Sequence, residues 1–353
     1  MKIHQLDTPA LILDRQAFDR NRRTMQKLLE HTSMRLRPHY KSHKCPAIVR
    51  KQLEDGAKGI TCAKLGEAED LAECGVEDIL IANQIVQPEK MGRLAALAGR
   101  CRLTVCVDCA ENVLALERAM AAQGQILYCL VEYDIGMRRC GAESHEEVRE
   151  LARLIAGQPH LRFEGIQAYA GQMSHETDFV LRKETTESIE RDLAALKAEL
   201  ESAGLPVKEI SGGSTGTVEL KSGSSVYTEM QCGSYLFMDR AYRAMHLGFE
   251  NALFLLTTVI SVKDDRFITD GGAKSLGMDQ GDPVIVGFEN FRLGVNEEHS
   301  KIYATDHGCK LNDKIRYIPG HCCTTINSHD RIYVVDGDEV VDVWTVESRG
   351  KAW

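Results

Sequence analysis

The chain has 353 residues, room for one large domain and a smaller one. Its formal net charge of -9 argues against a nucleic-acid or anionic-membrane surface, which needs a basic patch. No apolar run approaches the roughly 20 residues of a membrane span, and Met1 to Asp14 shows no signal-peptide pattern, so the expected location is the cytoplasm.

In chain order, short apolar runs alternate with amphipathic segments. Strands are expected at 34–41, 59–64, 78–83, 102–108, 126–134, 162–170, 208–215 and 227–236. Helices are expected between them at 88–98, 111–122, 144–156 and 178–203. Pro88 suits a first helical turn, Ser144 stands three residues before Glu147, and Gly204 marks a stop. Eight such strands point to an eight-stranded (β/α) barrel, an α/β fold whose chemistry sits where strands end. Periodicity alone leaves a doubly wound sheet open. Beyond about residue 240 the runs are short and β-like, with glycine turns between them, so a mostly antiparallel β domain is expected. The boundaries read as 12–240 for the barrel and 241–353, joined by residues 1–11, for the β domain.

The chain has 12 cysteines. Cys62, Cys106 and Cys129 lie in apolar runs and read as core thiols. Cys106 and Cys109 form one CxxC with no second, weak grounds for metal or redox chemistry.

Four segments carry chemistry. In Arg37-Pro38-His39-Tyr40-Lys41-Ser42-His43-Lys44, a lysine at the end of a buried strand would be desolvated among cations, which frees its amine for Schiff-base formation. The same spacing also fits a solvated basic loop. Asp134-Ile135-Gly136-Met137-Arg138-Arg139-Cys140-Gly141 sets an acid, a glycine turn and a guanidinium at a strand end. Ser211-Gly212-Gly213-Ser214-Thr215-Gly216-Thr217 can curl its N–H groups around an anion, and Gly233-Ser234-Tyr235 offers a second donor set. In Pro319-Gly320-His321-Cys322-Cys323, a strand would point His321 and Cys323 to one face as a metal pair and Cys322 to the other. A buried pair without metal fits that spacing equally.

Together these segments resemble the D-serine dehydratase and D-threonine aldolase family, fold-type III pyridoxal-phosphate enzymes with an alanine-racemase-like barrel. The likeness runs from Asp7-Thr8-Pro9-Ala10-Leu11-Ile12-Leu13-Asp14 to the last strands. RPHxKxHK is the most specific stretch; DxGxxRxG, SGGST and PGHxC follow in the family's order.

The resemblance implies a pyridoxal 5'-phosphate cofactor on Lys41, with His39 beside it. It implies Arg139 at the cofactor's phenolic oxygen, Tyr169 at the pyridine nitrogen, and Gln84 as a further contact. Ser214, Thr215, Gly233, Ser234 and Tyr235 would cradle the phosphate. His321 and Cys323 would hold a divalent metal, with Zn²⁺ favoured by the thiolate over Mn²⁺ or Mg²⁺. The implied substrate is a small β-hydroxy D-amino acid, and the implied assembly a homodimer. Family dehydratases tend to show His-x-Cys and its aldolases His-x-Asp. This pair therefore favours a dehydratase giving a 2-oxo acid and ammonia from D-serine or 3-hydroxy-D-aspartate. The alternatives are an aldolase giving glycine and an aldehyde, and a racemase using Tyr303 or Tyr317 as second base. Tyr40 and Ser42 depart from the sizes expected around the lysine.

Overall fold

The computed structural model describes residues 1–289 and 291–353. Strand β1 (Ala10–Asp14) and helix α1 (Arg15–Leu29) come first. Strands and helices then alternate: β2 (Arg35–Leu36), α2 (Pro46–Glu54), β3 (Ile60–Cys62), α3 (Leu65–Glu73), β4 (Asp78–Ile81), α4 (Pro88–Ala98), β5 (Arg102–Val107), α5 (Ala110–Gln123), β6 (Leu127–Glu132), α6 (His145–Ala156), β7 (Leu161–Ala168), α7 (Phe179–Ser202), β8 (Glu209–Gly212), α8 (Val218–Lys221) and β9 (Glu229–Met230). After α9 (Arg240–Arg243) the chain is nearly all strand: β10 (Leu253–Lys263), β11 (Arg266–Thr269), β12 (Val284–Ile285), β13 (Arg292–Val295), β14 (Ser300–Tyr303) and β15 (Lys314–Ile318). Helix α10 (Cys322–Ile326) precedes β16 (Arg331–Asp336) and β17 (Glu339–Thr345). Each expected barrel strand is present, though shorter than its apolar run. Among the described residues, no helix is long and apolar enough to cross a membrane.

The contacts divide the chain into two units. One comprises Gln26–Lys41, Val49–Gly233 and Lys351–Trp353. Its eight strands pair in parallel in the order β2-β9-β8-β7-β6-β5-β4-β3. A parallel bridge between His39 and Thr61 joins the two ends, and the sheet closes into a barrel. Leu80, Cys106 and Leu130 meet inside it, one from each of three neighbouring strands, and this explains Cys106 as a core thiol. Helix starts follow local chemistry: Pro88 opens α4, the Ser144 hydroxyl accepts from the Glu147 N–H ahead of α6, and Asp178 caps α7 through two backbone N–H groups.

The other unit comprises Met1–Met25, Ser42–Ile48 and Ser234–Gly350. Its sheet runs β13-β14-β11-β10-β1-β16-β17, with β15 on β10 and β12 on β15. All its pairings are antiparallel except β1 with β16. Strand β10 shows the two-residue period that builds this unit. Leu255 joins a core with Phe267, Ile302 and Tyr317, while Leu256 joins one with Ile3, Ile12 and Val335.

Candidate active site

At the C-terminal end of the barrel, residues just past the strands line a cleft that opens to solvent. Lys41 and His39 follow β2, Ala63 follows β3, Asn83 follows β4, Arg139 and Cys140 follow β6, Tyr169 follows β7 and Gln231 follows β9.

Lys41 does not stand in a buried strand. Strand β2 stops at Leu36, since Pro38 has no N–H to continue a ladder, and Lys41 sits in a 3₁₀ turn, Tyr40–Ser42. Its side chain is exposed, so the expected desolvation is not found. Its backbone N–H lies 3.4 Å from His39 Nδ1, and its Nζ lies 5.8 Å from the centre of the Tyr169 ring. The expected cationic setting is also smaller than the motif suggests. The Arg37 side chain turns away, to Glu229 and Asp78, and the His43 ring packs on Phe237 at 6.3 Å. Of the motif's other cations, His39 lines the cleft.

The segment after β6 explains its own motif. Asp134 Oδ1 accepts from the N–H groups of Gly136 and Arg138, which curls the loop. The loop then returns over β6, with Tyr133 and Ala142 bridged. Gly141 has φ +112°, and a Cβ there would stand 2.7 Å from the Asp134 nitrogen. The return carries Arg139 to the cleft, its guanidinium carbon 5.5 Å from the same Tyr169 ring. The Tyr169 hydroxyl meets Ser174 Oγ at 3.1 Å.

Two further carboxamides, Gln167 and Gln231, form the floor. Gln231 Nε2 donates to Gln167 Oε1 and to Ser211 Oγ, each at 2.7 Å. Gln84 does not line the cleft directly; its Nε2 donates to Glu132 Oε2 at 2.5 Å. The glycine-rich turn closes on itself, with the Ser214 N–H donating to Thr217 Oγ1 at 3.1 Å. Ser214 and Thr215 are buried there. Gly212 cannot be replaced, since its Cβ would lie 1.9 Å from the Ala168 carbonyl oxygen. Gly233 is buried at the end of the same unit.

In the other unit, Ser234 lies 3.8 Å from Cys323 Sγ, and Tyr235 is buried against Phe249. The expected strand at 321–323 is absent. His321 is the N-cap of α10, because the Thr325 N–H and hydroxyl both return to its carbonyl. Buried Asp239 accepts the Cys322 N–H at 3.0 Å and so fixes that turn. Cys322 therefore does not face away: its Sγ lies 3.9 Å from that of Cys323. His321 Nδ1 lies 2.7 Å from Asp279 Oδ2. Burial opposes the imidazolium charge, but Cys323 and Asp279 outweigh it and raise His321 to about 9. Thr324 and His321 in turn hold the Asp279 carboxyl below its ordinary range against partial burial.

An imidazole and a thiol side by side, with a carboxylate behind the imidazole, form a donor set that suits a divalent cation. Among the described residues no group of three or more His, Cys, Asp or Glu gathers around one point. The barrel cleft likewise fits a pyridoxal phosphate: an accessible amine, a guanidinium and a phenol converge there, with a glycine turn at a neighbouring strand end. Glu132, Gln167, Gln231 and Asp279 were not singled out by sequence. The first three sit singly in apolar runs. Asp279 is 42 positions from its histidine and had no spacing signal.

A barrel with such a lysine-lined cleft, joined in one chain to an antiparallel unit with a His–Cys pair, has the make-up of a cofactor-dependent enzyme. Comparison with known proteins narrows it. Residues 13–241 match the family described as alanine racemase, N-terminal domain, and residues 252–335 a serine dehydratase domain. A 3-hydroxy-D-aspartate aldolase of Paracoccus denitrificans (strain Pd 1222) is 38% identical over 362 residues, covering 99% of this chain and 94% of the relative. The solved D-threonine aldolase from Filomicrobium marinum superposes with a TM-score of 0.97 at 36% identity, covering 100% of this chain and 98% of that one. A D-threo-3-hydroxyaspartate dehydratase, solved as a cysteine-to-alanine variant in the metal-free form, gives 0.90 at 26% identity over 100% of both chains. The chain belongs to this family of fold-type III pyridoxal-phosphate-dependent lyases acting on β-hydroxy D-amino acids.

Proposed function

We propose that this protein cleaves the Cα–Cβ bond of a β-hydroxy D-amino acid, giving glycine and an aldehyde. The observation that carries this reading is the full-length likeness to aldolases at 36% and 38% identity, against 26% for the dehydratase. Pyridoxal phosphate, held by Lys41, would supply the electron sink at Cα. A divalent cation on His321 and Cys323 would supply Lewis acidity toward a hydroxyl oxygen. The Lys41 amine would carry the proton exchanged at Cα. Arg139 would serve the cofactor's phenolic oxygen, and Tyr169 its pyridine nitrogen. Gln84 acts behind Arg139, while Ser214, Thr215, Gly233, Ser234 and Tyr235 serve the phosphate. Asp279 orients the His321 ring through Nδ1, which would leave Nε2 for a divalent cation.

Dehydration is the second reading, and Cys323 favours it: a thiol stands where the family's aldolases tend to carry a carboxylate. Racemisation finds less support. The buried Tyr317 hydroxyl is engaged by Thr269 at 2.5 Å, and burial raises its pKa.

Product analysis on D-threonine and 3-hydroxy-D-aspartate, with and without chelator, tests the proposal. Glycine is expected from both, with acetaldehyde from D-threonine, and the yield should fall with chelator. Ammonia and a 2-oxo acid without glycine would transfer the chain to the second reading.

A further inference from the structure

We infer that Glu132 is a positioning residue for the cofactor: its carboxylate, buried where β6 ends, holds Arg139 and Gln84 in place. The inference rests on the proposed cofactor site. Glu132 is 5% exposed. Its Oε2 accepts from Gln84 Nε2 at 2.5 Å, and its Oε1 lies 3.5 Å from an Arg139 guanidinium nitrogen. These partners come from two different loops, one after β4 and one after β6. One carboxylate therefore sets both.

The chemistry requires such a group. The Arg139 side chain is 46% exposed and has many rotamers, so its own loop does not fix its head. A buried carboxylate, for its part, needs a charged or donating partner. Burial pushes Glu132 up, while Gln84 and Arg139 pull it back toward the charged form. Asp108 is the other acid facing it, and Asp108 Oδ2 is occupied by the Gly141 N–H at 3.2 Å. The Arg139 charge is thus aimed and partly balanced before any ligand arrives, which lowers the cost of ordering it on binding.

The test compares wild-type chain with Glu132→Gln, Arg139→Gln and the double variant, each titrated with pyridoxal phosphate. Loss of a charge-assisted bond predicts a dissociation constant about 10- to 100-fold higher for Glu132→Gln. The visible band of the bound cofactor is expected to shift, since the charge near its phenolic oxygen changes. In the Arg139→Gln background, Glu132→Gln should add little. An unchanged dissociation constant and band in Glu132→Gln overturn the inference, as do fully additive effects. Should Glu132→Gln not fold, Gln84→Ala and Glu132→Asp are titrated instead, and wild-type affinity with an unmoved band in both overturns it. If wild-type chain shows no borohydride-reducible band on Lys41, the functional reading and this inference fall together. A normal wild-type band with an unaffected variant removes the inference alone.

Discussion

The barrel has two charged ends, and they are built in opposite ways. At the N-terminal end Arg37, Lys58, Arg102 and Lys208 face Asp78, Glu164, Glu209 and Glu229, every one of them paired. Arg37 and Glu229 are 4% and 2% exposed and 2.9 Å apart. Burial works against both charges, yet Glu229 and Asp78 hold Arg37 above its ordinary value, and Arg37 and Lys58 hold Glu229 below its own. At the C-terminal end Lys41 is exposed in an open cleft, and Arg139 in its lining is 46% exposed beside Glu132. One end is a neutral plug. The other keeps donors facing solvent, ready for an anionic, phosphate-bearing ligand. A cation contributes to stability where it is buried and paired, and to chemistry where it faces an open cleft.

The largest contrast comes from removing one cation from each end. Lys41→Ala is expected to lower turnover by roughly 10³-fold or more and to abolish the borohydride-reducible band. The melting temperature of the apoprotein should move by no more than about 1 °C, since the side chain is exposed. Arg37→Met should behave inversely. It leaves Glu229 and Asp78 without their shared cation, a change expected to cost about 3–5 kcal/mol in urea unfolding, while the folded fraction still binds cofactor. If Arg37→Met unfolds like wild type, the plug is not a stability device.

The open end was more legible in the sequence than the closed one. Alternating apolar runs showed eight strands, and Lys41, Arg139 and Tyr169 stood at their ends. Helices α4 and α6 were marked at their starts by Pro88 and Ser144, and α7 at its end by Gly204. What stayed hidden was pairing at long range. Arg37 and Glu229 are 192 positions apart, so nothing local separates a plug arginine from a cofactor arginine. Glu132 was hidden for another reason, since a lone acid at the end of an apolar run reads as a strand terminus. At 321–323 a β-like stretch became a helical turn because Asp239, far back in the chain, caps it. Local pattern shows elements, but the direction of a polar side chain depends on partners that folding supplies.

Lys221 sharpens the comparison at a middle position. It lies near the open end, beneath the glycine turn, yet it is buried, with Glu190 at 3.5 Å and the Tyr227 ring at 3.9 Å. Burial outweighs Glu190 and pushes its pKa down from 10.5 to about 8. The folded protein therefore sheds this proton before the unfolded chain does. Stability should rise as pH climbs from about 8 to 10.5, by about 3 kcal/mol. In Lys221→Met the rise should vanish, and the variant should be the more stable of the two at pH 7. Identical stability-against-pH curves for the two proteins would show that Glu190 and Tyr227 compensate the buried charge in full.

The smallest effect is expected on the barrel's outer surface, on α7, where Lys183 and Glu187 pair at 2.5 Å one helical turn apart. Their geometry is as good as that of Arg37 with Glu229, so distance alone predicts equal worth. Both side chains are about half exposed, however, at 50% and 47%. Water solvates each charge nearly as well as its partner does, and salt screens what remains. Lys183→Ala should leave the melting temperature within about 1 °C of wild type, and no difference should survive 0.5 M salt, while the cost of Arg37→Met should persist at that salt concentration. A large loss in Lys183→Ala would mean that pairing distance, and not burial, separates the plug from the surface, and the contrast between the two ends would need another basis.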